Sequence, residues 1–367
     1  MISVEDHSQT VLRTEDEIMN RWGGKNDPVV SICCIAYNHE PHIEDALKGF
    51  LIQETDFPFE IIIHDDASTD RTADIIRDYH ARYPRLIRPI LQTENQYSQR
   101  VKITASIMVP RAQGEFIALC EGDDYWTAAD KLARQVEFLS CHPTVKFSFH
   151  PAIVVDSLGS RTQFFRSYLK TGNRIVPPEE IIMQGGGFCP TASHIYRRNT
   201  LTALPQWFYT DAPVGDQFLI IFGAVPGGAA YLDDPMCVYR RGVDGSWTRK
   251  MRGFEYAIEH DRKRVYCLSR LNDDLETVYN RQFGYQIAKW SLHAAILCAN
   301  QGDRRFRFWI EQSWNAYPRM QTTQKVLYMA RRAPWLCRLI VSSHRVVWSF
   351  ARRLRRRLVV ASQNNSR

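Results

Sequence analysis

Three acidic side chains fall within four positions in the segment Glu121-Gly122-Asp123-Asp124. Carboxylates this close repel one another unless a cation or hydrogen-bond donors neutralise them. Hard oxygen ligands suit Mg²⁺ or Mn²⁺, which proteins commonly hold with one or two carboxylates and the phosphates of a substrate. The segment therefore predicts a site for a divalent cation and a phosphate, and an acidic turn before the next helix is the alternative.

The elements around this segment predict how it is positioned. The apolar run 116–120 before it has the length and composition of a buried strand, as do the runs 28–36 and 59–64. Helical patterns alternate with these strands, which predicts βαβ units and a mostly parallel sheet. The carboxyl ends of parallel strands meet at one edge, where open α/β folds bind ligands. We therefore expect the polar residues that follow the three strands to form one site.

The organisation of the chain follows from the same patterns. Residues 1–27 are predicted to be an N-terminal extension, 28–250 an α/β domain and 251–367 a helical region. Within the domain, the pattern predicts a helix near Val101–Gln113 and a short apolar helix over Phe218–Ala224.

Three motifs in order resemble family 2 of the glycosyltransferases. They are Ala36-Tyr37-Asn38-His39-Glu40, Asp65-Asp66-Ala67-Ser68-Thr69-Asp70 and Glu121-Gly122-Asp123-Asp124. The resemblance covers about residues 28–247. It implies a GT-A fold, which is a Rossmann-like, mostly parallel sheet flanked by helices, and inverting transfer of a sugar from a nucleotide-sugar donor.

The resemblance also implies which residues bind the donor. Tyr37 is expected to lie against the base, and Asp66 to accept a hydrogen bond from the base or ribose. Glu121 stands where the family usually has the first Asp of its D-x-D motif. The full set of expected donor contacts is Ala36, Tyr37, Asn38, Glu40, Asp65, Asp66, Glu121, Asp123 and Arg240.

The same resemblance implies the metal ligands and the catalytic base. Asp123 and Asp124 are expected to hold Mg²⁺ or Mn²⁺ bridging the diphosphate. Asp216, just before an apolar helix, matches the acidic residue that takes the proton of the acceptor hydroxyl, although capping that helix is the other interpretation. Many relatives have a histidine at or near Gly242 that this chain lacks, and Arg240 or Arg241 is the expected replacement as a positive charge near the phosphates.

The C-terminal end carries most of the positive charge. The chain has a net charge of +7, yet residues 301–367 contain fifteen lysines and arginines against two acidic residues. Apolar positions over 335–360 follow a helical stripe with Trp335 and Trp348, which is typical of a helix lying on an anionic inner-membrane surface. A helix packed on the catalytic domain is the alternative. Nucleic acid is the least expected partner because no binding motif accompanies the charge.

The cysteines and the hydropathy pattern bear on localisation. Nine cysteines are scattered without a C-x-x-C pair, which is typical of reduced thiols in a cytoplasm. The polar N-terminus lacks a secretory signal pattern, and no uncharged apolar run reaches 18 residues. We therefore expect a cytoplasmic protein that can be peripheral on the inner face of the cell membrane.

The function that the resemblance implies is glycosyl transfer from a nucleotide sugar, expected to be UDP-linked, to a glycan or lipid-linked acceptor in cell-surface polysaccharide synthesis. Two alternatives stay open. A sugar nucleotidyltransferase has a related fold but a glycine-rich loop after the first strand, which this chain lacks. A catalytically inactive relative that binds sugars or serves as a scaffold would fit the Glu121 variant, but the acidic residues of the motifs argue against it.

Overall fold

The structure is a computed structural model that describes residues 11–156, 161–166, 171–242 and 253–342, with the backbone alone for 161–166. The chain forms two compact units, Met1–Ser246 and Trp247–Arg367.

The described strands of the first unit are β1 Val30–Ala36, β2 Phe59–Asp65, β3 Ile87–Leu91, β4 Phe116–Glu121, β5 Tyr125–Trp126, β6 Phe147–Phe149, β7 Ala152–Asp156, β8 Arg161–Arg166, β9 Arg174–Val176, β10 Ile195–Arg197, β11 Ala229–Tyr231 and β12 Cys237–Arg241. Eight of them form the main sheet, in the order β3-β2-β1-β4-β10-β6-β11-β9. Strands β1 to β4 run parallel, whereas β10 is antiparallel to both of its neighbours. A second sheet of order β5-β12-β7-β8 lies in the same unit.

Helices flank the main sheet, and their apolar faces build the core with β1, β2 and β4. In α2, Ile43, Leu47 and Phe50 recur at helical spacing and are fully buried. The helices of this unit are α1 Glu15–Asn20, α2 Ile43–Leu51, α3 Thr72–Arg82, α4 Lys131–Cys141, α5 Pro178–Gln184, α6 Arg198–Thr202, α7 Gln206–Thr210 and α8 Asp216–Ala224. The expected α/β fold with a mostly parallel, helix-flanked sheet is confirmed.

One expected helix differs from the structure. In place of an α-helix near Val101–Gln113, the chain forms a π-helical turn over Thr104–Met108 and a 3₁₀ turn over Val109–Arg111. Pro110 explains the difference, because proline cannot donate the i→i−4 hydrogen bond that an α-helix interior requires.

The described part of the N-terminal extension packs onto the first unit. The Arg13 guanidinium donates to the carbonyls of Ile52 and Gln53, both at 2.9 Å, at the end of α2. Trp22 is 3% exposed and meets the Phe59 ring edge-on at 5.5 Å between centroids. Residues 11–27 therefore contribute to the core of this unit.

The second unit is helical. Its helices are α9 Phe254–Asp274, α10 Asn280–Gln301, α11 Phe306–Ala316 and α12 Thr322–Met329, followed by helical residues 334–342. Its core includes Leu292, Trp309, Leu327, Cys337 and Val341. The helical C-terminal region expected from the sequence is thus present. Among the helices of the described residues, none combines the length and apolarity needed to cross a bilayer.

Candidate active site

The three polar segments expected to form a site lie at one edge of the main sheet. In the parallel register, Ala36 at the end of β1 pairs with Asp65 on one side, and Ile35 pairs with Glu121 on the other. The backbone N–H of Asp66 donates to the Ala36 carbonyl at 2.9 Å. The strand ends therefore bring the three motifs together.

Asn38 and Glu40 join the first motif to the second. Asn38 has a positive φ of 53°, and its side-chain oxygen accepts the N–H of Thr69 at 2.8 Å. Glu40 accepts the N–H of Arg71 at 3.1 Å. Tyr37 directly precedes Asn38 and is 44% exposed at the strand end. An exposed aromatic ring at this place suits base stacking.

The two aspartates of the second motif are engaged by the backbone around them. Asp65 accepts the N–H of Ser68 at 3.1 Å, which closes the turn after β2. Asp66 is 1% exposed and accepts from the backbone N–H groups of Gln96 at 2.7 Å and Tyr97 at 3.0 Å. Asp66 therefore holds the loop after β3. A carboxylate has about four acceptor positions, so contact with a ligand remains compatible with these bonds.

Asp124 and Arg240 contact each other on the buried side of the acidic segment. Asp124 is 1% exposed, and its Oδ1 accepts the N–H of Arg240 at 2.8 Å. Burial, followed by the charges of Asp123 and Glu121, raises the pKa of Asp124 well above its ordinary value. The Arg240 guanidinium donates to the Asp123 carbonyl at 2.8 Å, pairs with Asp45 and lies 4.5 Å from the Tyr125 ring centroid. Arg240 is thus positioned to hold the acidic turn, and its contact with phosphates stays a prediction.

Asp123 has unused capacity for a ligand. Its Oδ1 is buried and has no hydrogen-bond partner within the described ranges. A buried carboxylate oxygen of this kind fits a divalent cation or a ribose hydroxyl. Across the described residues, no three His, Cys, Asp or Glu side chains converge as a ligand set. An ion held here by Asp123 and Asp124 would accordingly depend on the donor phosphates and water for its remaining ligands.

Asp216 lies in the second half of the unit, near enough to the acidic segment for its charge to act on Glu121. It is the first residue of α8, it is exposed, and its Oδ1 accepts the N–H of Gln217 at 2.7 Å. Burial, followed by the charges of Asp123 and Asp216, raises the pKa of Glu121 to about 8. Glu121 itself is solvent-exposed at the end of β4. The charge of Asp216 thus reaches the carboxylate of Glu121.

Two residues near these motifs were missed at the sequence level. The Nδ1 atom of His39 is buried without a partner among the described residues, 2.9 Å from where a side chain at Gly122 would begin. Gln217 is fully buried, and neither its Oε1 nor its Nε2 atom has a hydrogen-bond partner among the described residues. His39 lies within a motif and Gln217 follows Asp216, but their sequence positions do not indicate burial without partners.

The overall fold resembles glycosyltransferases of the GT-A type. The crystal structure of Staphylococcus aureus TarS 1–349 in complex with UDP aligns with a TM-score of 0.61 and 20% identity, over 86% of this chain and 91% of that chain.

Sequence comparison finds similarity to one family over part of the chain. The family described as Glycosyl transferase family 2 matches residues 31–198. An uncharacterized protein of Mycobacterium tuberculosis is 40% identical over 224 residues, 59% of this chain and 60% of that protein. Bacillus subtilis TuaG, named for teichuronic acid biosynthesis, is 36% identical over 121 residues, 33% of this chain and 44% of that protein. The match thus spans about 60% of the length of the first relatives. Residues 31–198 of the chain are thus similar to glycosyltransferase family 2.

Proposed function

We propose that this protein is an inverting glycosyltransferase that moves a sugar from a nucleotide-sugar donor to a glycan or lipid-linked saccharide. The observation that carries the proposal is the meeting of the three motifs at one sheet edge, where Ala36 pairs with Asp65 and Ile35 pairs with Glu121. A base carboxylate opposite a diphosphate site is the arrangement that single displacement at an anomeric carbon requires. The name of TuaG and the UDP bound to TarS support a UDP-sugar donor and a surface polysaccharide acceptor.

Each motif has a distinct part in this proposal. Tyr37 stacks on the nucleotide base. Asp66 holds the loop at residues 96–97 and accepts a hydrogen bond from the base or the ribose. Asp123 binds the ribose or the cation. Mg²⁺ or Mn²⁺, when bound by Asp123 and Asp124, supplies neutralisation of the charge on the leaving diphosphate. Asp216 accepts the proton of the attacking hydroxyl as the bond to the anomeric carbon forms.

Release of nucleoside diphosphate from UDP-, GDP- and dTDP-sugars, with Mn²⁺, Mg²⁺ or EDTA, tests the proposal. Wild type should turn over one donor slowly with water as acceptor, and EDTA should abolish this. Asp216→Asn should lower the rate at least a hundredfold because the base is lost. Asp211→Asn, in the turn before α8, is the matched control and should retain activity. Equal rates in wild type and Asp216→Asn would contradict the assignment of the base.

We also propose that the second unit docks on an anionic membrane surface, at the inner face of the cell membrane, with the protein cytoplasmic. In the helical residues 334–342, Cys337 and Val341 are buried in the core of the unit. The opposite face exposes Trp335 by 68%, Leu339 by 59% and Leu336 by 37%. An exposed apolar face with a tryptophan in a basic region is typical of an interfacial helix. The rest of the expected 335–360 helix, from 343 onward, lies outside the described residues.

A further inference from the structure

Gln217 combines complete burial with an amide that the described chain does not satisfy. The residue is 0% exposed, and both Oε1 and Nε2 lack a hydrogen-bond partner among the described residues. A buried amide without partners is destabilising, and buried polar groups in folded proteins are almost always bonded. A methionine or leucine would fill this place without that cost, so the amide has capacity for a ligand.

A glycine loop covers this side chain. A Cβ atom at Gly186 would lie 2.9 Å from the Cβ and 3.5 Å from the Cγ of Gln217. Gly185 and Gly187 on either side have positive φ values of 72° and 83°, a backbone conformation that favours glycine. The backbone of the loop therefore packs against the stem of Gln217, and its glycines permit backbone conformations that other residues rarely adopt.

The loop is anchored on both sides of its glycines. The Gly185 N–H donates to the Ile181 carbonyl at the end of α5. On the other side, Cys189 Sγ lies 3.1 Å from Nε2 of the buried His194, whose Nδ1 is 3.2 Å from the Tyr196 hydroxyl. The ends of the loop are thus held beside α5 and β10, and its three glycines lie between these held ends.

The place of Gln217 in the chain, directly after Asp216, suggests what its amide binds. Asp216 must meet the attacking hydroxyl of the acceptor, and Gln217 is the next residue in α8. A primary amide donates and accepts at once, which suits a hydroxyl group that does the same. We propose that Gln217, uncovered by movement of the 185–187 loop, binds a second hydroxyl of a sugar acceptor beside the attacking one. The inference rests on the proposed glycosyl transfer, and it makes the acceptor a polyhydroxylated ring at this subsite.

Gln217→Met, which keeps the length of the side chain, tests the inference with two measurements on the full chain. The melting temperature should rise, because the unsatisfied amide is removed. Donor hydrolysis by water should stay within twofold of wild type, since water needs no second hydroxyl contact. Transfer to p-nitrophenyl glycosides of glucose, galactose, N-acetylglucosamine and rhamnose should fall at least tenfold in kcat/KM for the probe that wild type uses best.

Several outcomes would overturn the inference while leaving glycosyl transfer intact. A lower melting temperature would show that the amide is bonded within the fold, whichever acceptor is used. Unchanged transfer, or a loss of transfer and hydrolysis in equal proportion, would exclude an acceptor contact. An acceptor contact would also be excluded if wild type hydrolyses its donor and transfers the sugar to none of the probes faster than to water. If Asp216→Asn loses donor hydrolysis and Gln217→Met keeps it, the proposed function stands, and only the role of Gln217 in acceptor binding is decided by the transfer assay.

Discussion

Asp66 and Asp123 are the same residue type at the same sheet edge, yet the fold uses their carboxylates differently. Both oxygens of Asp66 accept backbone N–H groups of the loop after β3. Asp123 has an oxygen that is buried without a partner among the described residues. An acceptor already bonded positions its surroundings, whereas an unsatisfied one gains most from a ligand. Asp123 is therefore the residue at this edge on which donor binding should depend most.

Lys131 is a second residue whose charge the fold constrains. It is fully buried, its Nζ donates to Gln135 Oε1 at 2.8 Å, and it lies 4.0 Å from the Trp126 ring centroid. Burial lowers its pKa to about 7. Because the unfolded chain holds this proton up to about pH 10.5, the unfolded state binds more protons between pH 7 and 10.5. Stability should therefore rise with pH across that window.

Lys131→Met isolates this effect. The variant should be more stable than wild type at pH 6.5, because it removes the cost of a buried ammonium group. Its advantage should shrink by about 2 kcal/mol between pH 7 and pH 9, as the neutral lysine becomes favourable in the fold. Urea unfolding of both proteins across this range measures the difference. Parallel stability curves would show that the Lys131 amine keeps its proton inside the fold.

What the sequence predicts at this scale depends on the kind of signal. Strand ends and motif spacing predict that Ala36, Asp65 and Glu121 meet, because parallel register follows from the βαβ pattern. Burial of a polar side chain such as Gln217 depends on which elements pack over it. A glycine loop about 30 residues earlier in the chain supplies that cover, and no local pattern reports the contact.

At the scale of elements, the N-terminal segment shows how a polar stretch becomes part of a fold. Its sequence predicts an extension because few apolar residues recur in it. The structure uses single anchors instead: Arg13 on the last carbonyls of α2, Glu15 accepting the Leu86 N–H at 3.0 Å, and Trp22 on Phe59. Isolated long-range anchors carry no periodicity, which is why the helices and strands were predictable and this packing was not.

Trp22→Ala measures the contribution of this segment. The indole is 3% exposed and donates to the Thr55 hydroxyl at 3.2 Å, so truncation should cost about 3 kcal/mol of unfolding free energy. Val11→Ala, at a side chain that is 93% exposed in the same segment, should leave stability unchanged. Chemical denaturation of the three proteins gives the comparison. Equal midpoints would mean that the segment detaches without loss to the first unit.

At the scale of the whole molecule, charge and apolar exposure are separated along the chain. Residues 301–367 hold fifteen lysines and arginines and two acidic residues, so the remaining residues are net negative within a total of +7. The exposed apolar side chains Trp335, Leu336 and Leu339 belong to the basic part. Because positive charge and exposed apolar side chains occur in the same part of the chain, an anionic membrane is a better match than a protein partner of mixed charge.

Sedimentation with vesicles tests this docking surface. The full chain should bind vesicles that contain phosphatidylglycerol more tightly than pure phosphatidylcholine, and salt should weaken the binding. Replacing Trp335 and Leu339 by serine should lower the affinity about tenfold, whereas Val278→Ser, at a 72% exposed side chain of the same unit, should not. Full binding by the double variant would place the lipid contact elsewhere on the chain.

The distribution of cysteines gives the molecule a practical property. Of its nine thiols, eight are buried and only Cys141, the last residue of α4, is exposed. Alkylating reagents react with accessible thiolates, so under native conditions the wild-type chain should take up a single equivalent of a maleimide dye. A fluorophore attached there leaves the motifs at the sheet edge untouched. The natural sequence can therefore be labelled at one site for fluorescence or single-molecule work without first replacing the other cysteines.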